Sequence, residues 1–99
     1  MIKVIVGYKV KKSEDIEPIL LKLRSHAMTY PGFVSEEILI NKENIYMVVI
    51  VSTWIKAEDF RVWEESTIRK ELLRQAEALL VDETRVTVWR VMPTVRWVG

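Results

Sequence analysis

Few residue types in this 99-residue chain can do chemistry. There is one histidine, His26, and no cysteine, so thiolate catalysis, disulfides and cysteine-held metals are excluded. No HxxxH or HxxE spacing surrounds His26, which argues against a histidine metal site. No phosphate-cradling loop, paired-carboxylate motif or nucleophile–base pair stands out. An unperturbed imidazole titrates near neutrality, so a histidine such as His26 could accept a phenolic proton. Tyr8 carries a hydroxyl that can donate or accept a hydrogen bond to a bound quinol. Each has a plainer reading. His26, late in a helical segment and next to Ala27 on its apolar stripe, can be a boundary side chain bonded to backbone or water. Tyr8 can pack its ring in the core and turn its hydroxyl to solvent. Phe60 and Trp63, three residues apart, are either core at helical spacing or the wall of an aromatic pocket.

The elements that must position these residues are legible as changes of period. Residues 2–10 alternate, with Ile2, Val4, Val6, Tyr8 and Val10 on one face, which predicts a strand. Ile16, Ile19, Leu20, Leu23, Ala27 and Tyr30 then recur at three and four, the stripe of an amphipathic helix. Ser13 or Asp15 can cap it. Asp15 is the better choice, because Pro18 then falls at the third helical position, where its missing N–H has no intrahelical partner anyway. Pro31-Gly32 ends that helix. Residues 33–40 and 45–54 read as two strands joined by Asn41-Lys42-Glu43-Asn44, whose Asn residues tolerate left-handed backbone, hence as an antiparallel hairpin. Residues 56–81 are helical, with Ser66-Thr67 able to cap a second helix after a break. Residues 85–92 form a fourth strand, stopped by Pro93.

The order β-α-β-β-α-β is the ferredoxin-like plan, an α+β fold with four antiparallel strands and both helices on one face. The run Tyr46-Met47-Val48-Val49-Ile50-Val51 has no polar side, as expected of a strand covered on both faces. Helices cover one; a second copy of the chain, packed sheet to sheet about a two-fold axis, is the simplest cover for the other. A bound ligand or a different protein is the alternative. Tyr46 and Trp54, on one face of that strand, are assigned to this interface. Trp89 and Arg90 alternate, so one of them faces the open side; Arg90 would anchor an anionic substrate or pair with Glu36 or Glu37 across the interface.

Composition narrows the function classes. The chain is 49% hydrophobic and 29% charged, globular rather than disordered, and rich in apolar residues for one small core. Fifteen basic residues nearly balance fourteen acidic ones, with no basic stripe of the kind nucleic-acid binders carry. No segment is long and apolar enough to span a bilayer, and the first residues lack the pattern of a signal peptide, so cytoplasmic residence is expected. One domain, 1–99, accommodates this length, with 92–99 as a tail whose Val95, Trp97 and Val98 would pack at the dimer interface.

An ordered set of residues carries a resemblance. Tyr30-Pro31-Gly32-Phe33 follows the first helix, then come Glu36-Glu37, the strand Tyr46-Met47-Val48-Val49-Ile50, Thr53-Trp54, Ala57-Glu58-Asp59-Phe60 and Trp63. Together these resemble the antibiotic biosynthesis monooxygenase family, of the dimeric α/β-barrel group, over nearly the whole chain. The resemblance implies dimers formed through the open sheet faces and a pocket between sheet and helices in each subunit. It implies oxidation of phenols or quinols by molecular oxygen without a cofactor, or else haem binding and cleavage. Trp63 matches a pocket-lining Trp. The haem branch needs a His ten residues further on, where this chain has Leu73, and an Asn on the first strand, where it has Gly7; both departures count against haem. The expectation is therefore a cofactor-independent monooxygenase of small aromatic phenols or quinols, with Trp63, Phe60 and Tyr8 binding substrate and His26 or Tyr8 moving the proton. The alternatives are a non-catalytic dimeric binder of small aromatic ligands and, less favoured, a haem protein.

Overall fold

A computed structural model describes residues 1–94. The elements are β1 (Ile2–Lys9), α1 (Ser13–Ala27), β2 (Phe33–Ile40), β3 (Met47–Trp54), α2 (Ala57–Glu64), α3 (Thr67–Ala76), a 3-10 turn (Glu77–Leu79) and β4 (Arg85–Arg90). The strands form one antiparallel sheet in the order β2-β3-β1-β4. This is the ferredoxin-like arrangement, with the second helical region broken in two. The break falls where Ser66-Thr67 predicts it: the Ser66 side chain accepts the Arg69 N–H at 3.3 Å and starts α3.

The alternation of β1 sorts its residues as expected. Val4, Val6, Tyr8 and Val10 are buried against the helices, joined by Val48, Ile50 and Trp54 of β3 and by Ile16, Leu20, Leu23 and Ala27 of α1. From α2 and α3 the same core takes Phe60, Trp63, Leu72 and Ala76. Among the described residues no helix is long and apolar enough to cross a membrane.

Several boundaries differ from the sequence reading. α1 begins at Ser13, with Lys12 rather than Asp15 at the cap position. Pro18 therefore lies inside the helix, where it removes one backbone hydrogen bond; the stripe from Ile16 to Ala27, buried against the sheet, outweighs that loss. The turn after β2 uses no left-handed asparagine. Instead Asn41 Oδ1 accepts the N–H groups of Glu43 and Asn44, both at 2.9 Å, and Asn44 Oδ1 accepts that of Tyr46 at 3.1 Å. Tyr46 lies outside β3, which starts at Met47, and β4 ends at Arg90 rather than residue 92.

Trp54 is a correction. It is fully buried on the helix-covered face, edge-on to Phe33 and Phe60 at centroid distances of 5.3 and 5.8 Å, and its Nε1 donates to Ser52 Oγ at 3.0 Å. It belongs to the subunit core, not to an open-face interface. Trp89 lies opposite Lys3 on the open side, whereas Arg90 lies opposite Ile2 on the helix side. Glu36 pairs within the chain with Arg24. Residues 92–94 are exposed and outside any strand; the rest of the tail, with Val95, Trp97 and Val98, lies outside the described residues.

Gly32 explains the Pro-Gly-Phe motif physically. It has φ of +86°, and a Cβ there would overlap the Asp59 side chain. Only glycine allows both at low cost. Its carbonyl accepts the Ile55 N–H at 2.8 Å, which ties the end of the α1–β2 turn to the start of the β3–α2 turn. That tie places Phe33 against Trp54 and α2 over the sheet.

Candidate functional site

Six elements converge on one small interior cavity. Val6 and Tyr8 reach it from β1, Leu23 from α1, Glu36 from β2, Ile50 and Ser52 from β3, Phe60 and Trp63 from α2, and Arg69 from α3. The volume is about 20 Å³, room for about one water-sized group. Three larger depressions exist: one of about 690 Å³ beside Leu73 and the 80–84 loop, one of about 350 Å³ between α1 and β2, and a third, also about 350 Å³, which Tyr8 borders but which is lined mainly by Met47, Val49 and exposed Lys9, Asn44, Asp82, Glu83 and Arg85. The first is a wide surface groove with no buried polar group facing it, and the second is lined mainly by aliphatic side chains. The chemistry is in the smallest space.

Local structure accounts for each placement. Tyr8 faces inward because it shares the phase of Val4 and Val6. Trp63 stands one turn beyond Phe60 on the buried side of α2 and is fixed edge-on to Tyr30 at 5.0 Å. Arg69 follows the Ser66 cap, which turns the first residues of α3 back over the sheet. Glu36 owes its position to a β-bulge. Phe33 pairs with Trp54, but Ser35 pairs with Thr53 and Glu36 with Ser52, so Val34 is an extra residue in β2. An extra residue reverses the phase of everything after it. Glu36, Ile38 and Ile40 therefore point to the helices, while Ser35, Glu37 and Leu39 take the open side.

The electrostatics of this pocket are unusual for so small a chain. The Glu36 side chain is 6% exposed, and its Oε2 has no hydrogen-bond partner. The nearest cation, the Nε of Arg24, lies at 3.9 Å, and Arg24 itself is half exposed. That is an ion pair at its distance limit and too long for a hydrogen bond. Burial pushes the Glu36 carboxyl up to about 7, against the partial pull of Arg24. Burial likewise raises the Tyr8 hydroxyl to about 12; the charge of Arg69 opposes this shift and that of Glu36 adds to it. Arg69 is 8% exposed, and its Nη1 donates only a long bond, 3.4 Å, to the Glu64 carbonyl. It has no carboxylate partner among the described residues. The cavity thus brings together a guanidinium, a phenol and a carboxyl held above its ordinary range, walled by two aromatic rings.

The residues singled out from sequence divide. Tyr8, Phe60 and Trp63 meet at the cavity, and the Tyr8 hydroxyl does not lie in solvent. His26 is exposed on α1, does not line the cavity, and has its carbonyl occupied by Thr29. Leu73 is half-buried on α3, beside the large groove, and Gly7 sits opposite Val49 on the open face of the sheet. Among the described residues no three His, Asp or Glu side chains are grouped to hold a metal ion. Sequence reasoning missed Glu36 and Arg69 as pocket residues. Uninterrupted alternation from Phe33 would place Glu36 outside, and Arg69 is one of many charges on an amphipathic helix.

No family model matches the sequence, and no curated protein is similar to it. Solved structures do match over nearly the full length. SnoaB, a cofactor-independent oxygenase from Streptomyces nogalater, has a TM-score of 0.84 at 15% identity, over 95% of each chain. A candidate antibiotic biosynthesis monooxygenase of Deinococcus radiodurans has a TM-score of 0.86 at 9% identity, over the whole of both chains. A conserved protein from Methanosarcina mazei Go1 has 0.82 at 19% identity, over 90% of each. The resemblance carried by Tyr30-Pro31-Gly32-Phe33, Trp54 and the Phe60–Trp63 helix and the likeness of the solved structures agree: this chain has the ferredoxin-like fold of the antibiotic biosynthesis monooxygenase structures.

Proposed function

We propose that this protein is a cofactor-independent monooxygenase of small aromatic phenols or quinols, working in the cytoplasm as a homodimer. The observation that carries the reading is the cavity between sheet and helices, where Trp63 and Phe60 form a flat apolar wall and Tyr8 and Arg69 supply buried donors. Its likeness in fold to an oxygenase that needs no cofactor supports the same reading. The overall reaction needs little from the protein: a ring C–H ortho or para to the phenolic oxygen becomes a carbonyl, one atom of oxygen enters the ring, and the other leaves as water. The substrate supplies all four electrons. The chain must bind the ring, exclude water and stabilise the phenolate that reacts with oxygen. Arg69 and Tyr8 serve the last purpose.

A ring does not fit a space of about 20 Å³; a cavity that binds benzene measures about 150 Å³. Substrate entry therefore requires the wall to move. α2 is the element to do so, being eight residues long and held in the core by only Phe60 and Trp63. The same tightness is what favours a second reading, a binding module without turnover. Dimer formation rests on the open sheet face, where Leu39, Met47 and Trp89 are each 44–55% exposed alongside half-buried Ile5, Val49 and Val51.

The test is oxygen uptake across a panel of hydroquinones, dihydroxynaphthalenes and dihydroxyanthracenes, with Trp63→Phe as comparison. Uptake above autoxidation, with kcat/KM reduced about tenfold or more in the variant, is the expected result, the size of one lost pocket contact. A folded protein that binds these phenols and consumes no oxygen is the second reading instead.

A further inference from the structure

We infer that Glu36 is the proton acceptor of this pocket, the group that converts a bound phenol to its phenolate, with Arg69 and Tyr8 holding the resulting anion. The inference rests on the functional reading above for the existence of a phenolic ligand. It goes beyond that reading, whose sequence candidates for moving the proton are His26, which lies exposed on α1, and Tyr8, whose buried hydroxyl is held protonated.

Geometry is the first argument. A bulge at Val34 turns Glu36 inward and Glu37 outward, so the chain spends an irregularity of the β2 edge on placing a carboxyl in the cavity. The carboxyl oxygen Oε2 is buried without a hydrogen-bond partner. Leaving such an atom unpaired is costly, more so when it is charged, and buried polar atoms are nearly always satisfied. A ligand hydroxyl donating to Oε2 would satisfy it. The second argument is what faces it. Arg24 from α1 stands at 3.9 Å toward solvent, Tyr8 from β1 and Arg69 from α3 line the same cavity, and Ser52 of β3 lies directly across the strand pair. Ser52 Oγ already accepts from Trp54. The carboxylate is thus the basic group of the cavity. Tyr8, raised to about 12, stays protonated and serves as a donor. Glu36, pushed up to about 7, matches the range in which a general base is both ionised and proton-seeking at neutral pH.

The proton and electrons balance as follows. The phenol O–H bond breaks, its proton goes to Glu36, and the electron pair stays on the phenolate oxygen beside Arg69. The phenolate delivers electrons to oxygen and a ring C–O bond forms, leaving a peroxide anion on the carbon. Glu36 returns its proton to the distal peroxide oxygen. The ring C–H proton then passes to the Glu36 carboxylate as its electron pair forms the quinone carbonyl and the O–O bond breaks; the hydroxide released takes that proton from Glu36 and leaves as water.

Two measurements on the intact protein test this, with Glu36→Gln, which keeps the shape and removes the base, and Glu36→Asp. The first is anaerobic titration with a dihydroxyanthraquinone, an already oxidised phenol whose phenolate absorbs at longer wavelength. The native protein is expected to show the phenolate band at pH 7.5; Glu36→Gln should bind the probe and lose the band at least about tenfold, with partial recovery in Glu36→Asp. The second is oxygen uptake, where Glu36→Gln should lose about 10²–10⁴ in kcat, the usual worth of a positioned base. It should also lose the limb of the pH profile near neutrality. A phenolate band of equal strength in Glu36→Gln overturns the inference even if the native protein consumes oxygen. A band that depends on Glu36 in a protein that consumes no oxygen keeps the inference and overturns the oxygenase reading. A native protein that binds no phenol overturns both.

Discussion

Ile50 and Val51 are neighbours in sequence and belong to opposite worlds of the sheet. Ile50 is 4% exposed, packed under the helices and against the cavity. Val51 lies on the open face between Ile5 and Glu37 and stays half-buried. The helix-covered face combines a dense apolar core with a buried carboxyl, phenol and guanidinium. The open face is apolar at its centre and rimmed by Lys3, Lys9, Arg85 and Glu37. The first face buries its polar groups within one chain; the second has no helix packed over it among the described residues. A single strand can serve both because its side-chain period is two.

Truncation should separate the two faces most sharply. Ile50→Ala is expected to cost about 2–5 kcal/mol, transfer and cavity terms together, read as a shift of the urea midpoint with unchanged slope. Val51→Lys should leave the folded subunit intact and, in sedimentation, abolish the homodimer proposed above. A Val51→Lys protein that remains dimeric would move the interface off the open face.

Next in size is the pH dependence from Glu36. Its folded value, about 7, lies above the ordinary 4.5, so folding favours the protonated form. The stabilising contribution is complete below about pH 4.5 and is lost as pH rises through about 7, by up to ~3 kcal/mol. Glu36→Gln should flatten this window. A native stability that rises between pH 5 and 7 would mean that Glu36 is paired more closely than 3.9 Å.

The smallest effect contrasts a buried charge with exposed ones. Arg74 and Glu71 make a two-armed contact at 2.6 and 3.0 Å, far better geometry than Arg24 with Glu36. Both side chains are solvent-exposed, and water and salt screen such pairs. Arg74→Ala is expected to leave the melting temperature within experimental scatter.

Much of this molecule is readable from residue order. The period-two run to Val10, the three-and-four spacing from Ile16 to Ala27, the unalternating 46–51 segment and the Ser66 cap place β1, α1, β3 and the start of α3, because each reports a local geometry through which side chains reach the core. Tyr8, Phe60 and Trp63 are recoverable as pocket residues for the same reason. Errors fall where a local rule met a competing long-range one. The Asp15 cap loses to the packing of α1, whose first turn is extended despite Pro18. Trp54, assigned with Tyr46 to an interface because the two share one face of a strand, is held instead by Phe33 of β2 and Phe60 of α2.

Glu36 and Glu37 draw the final line. Adjacent and chemically identical, they are indistinguishable to any periodicity argument, and plain alternation from Phe33 chooses the wrong one. The residue order alone dictates that a strand, a carboxylate pair and a turn at Gly32 occur there, since those follow from side-chain type and backbone freedom. Which carboxylate enters the pocket is decided by the bulge at Val34, and the bulge exists because Phe33 must dock on Trp54 while Ile38 and Ile40 still meet the helices. Only the assembled sheet, where both demands act on one strand, reverses the phase and brings the acid, Arg69, Tyr8 and Trp63 around one cavity.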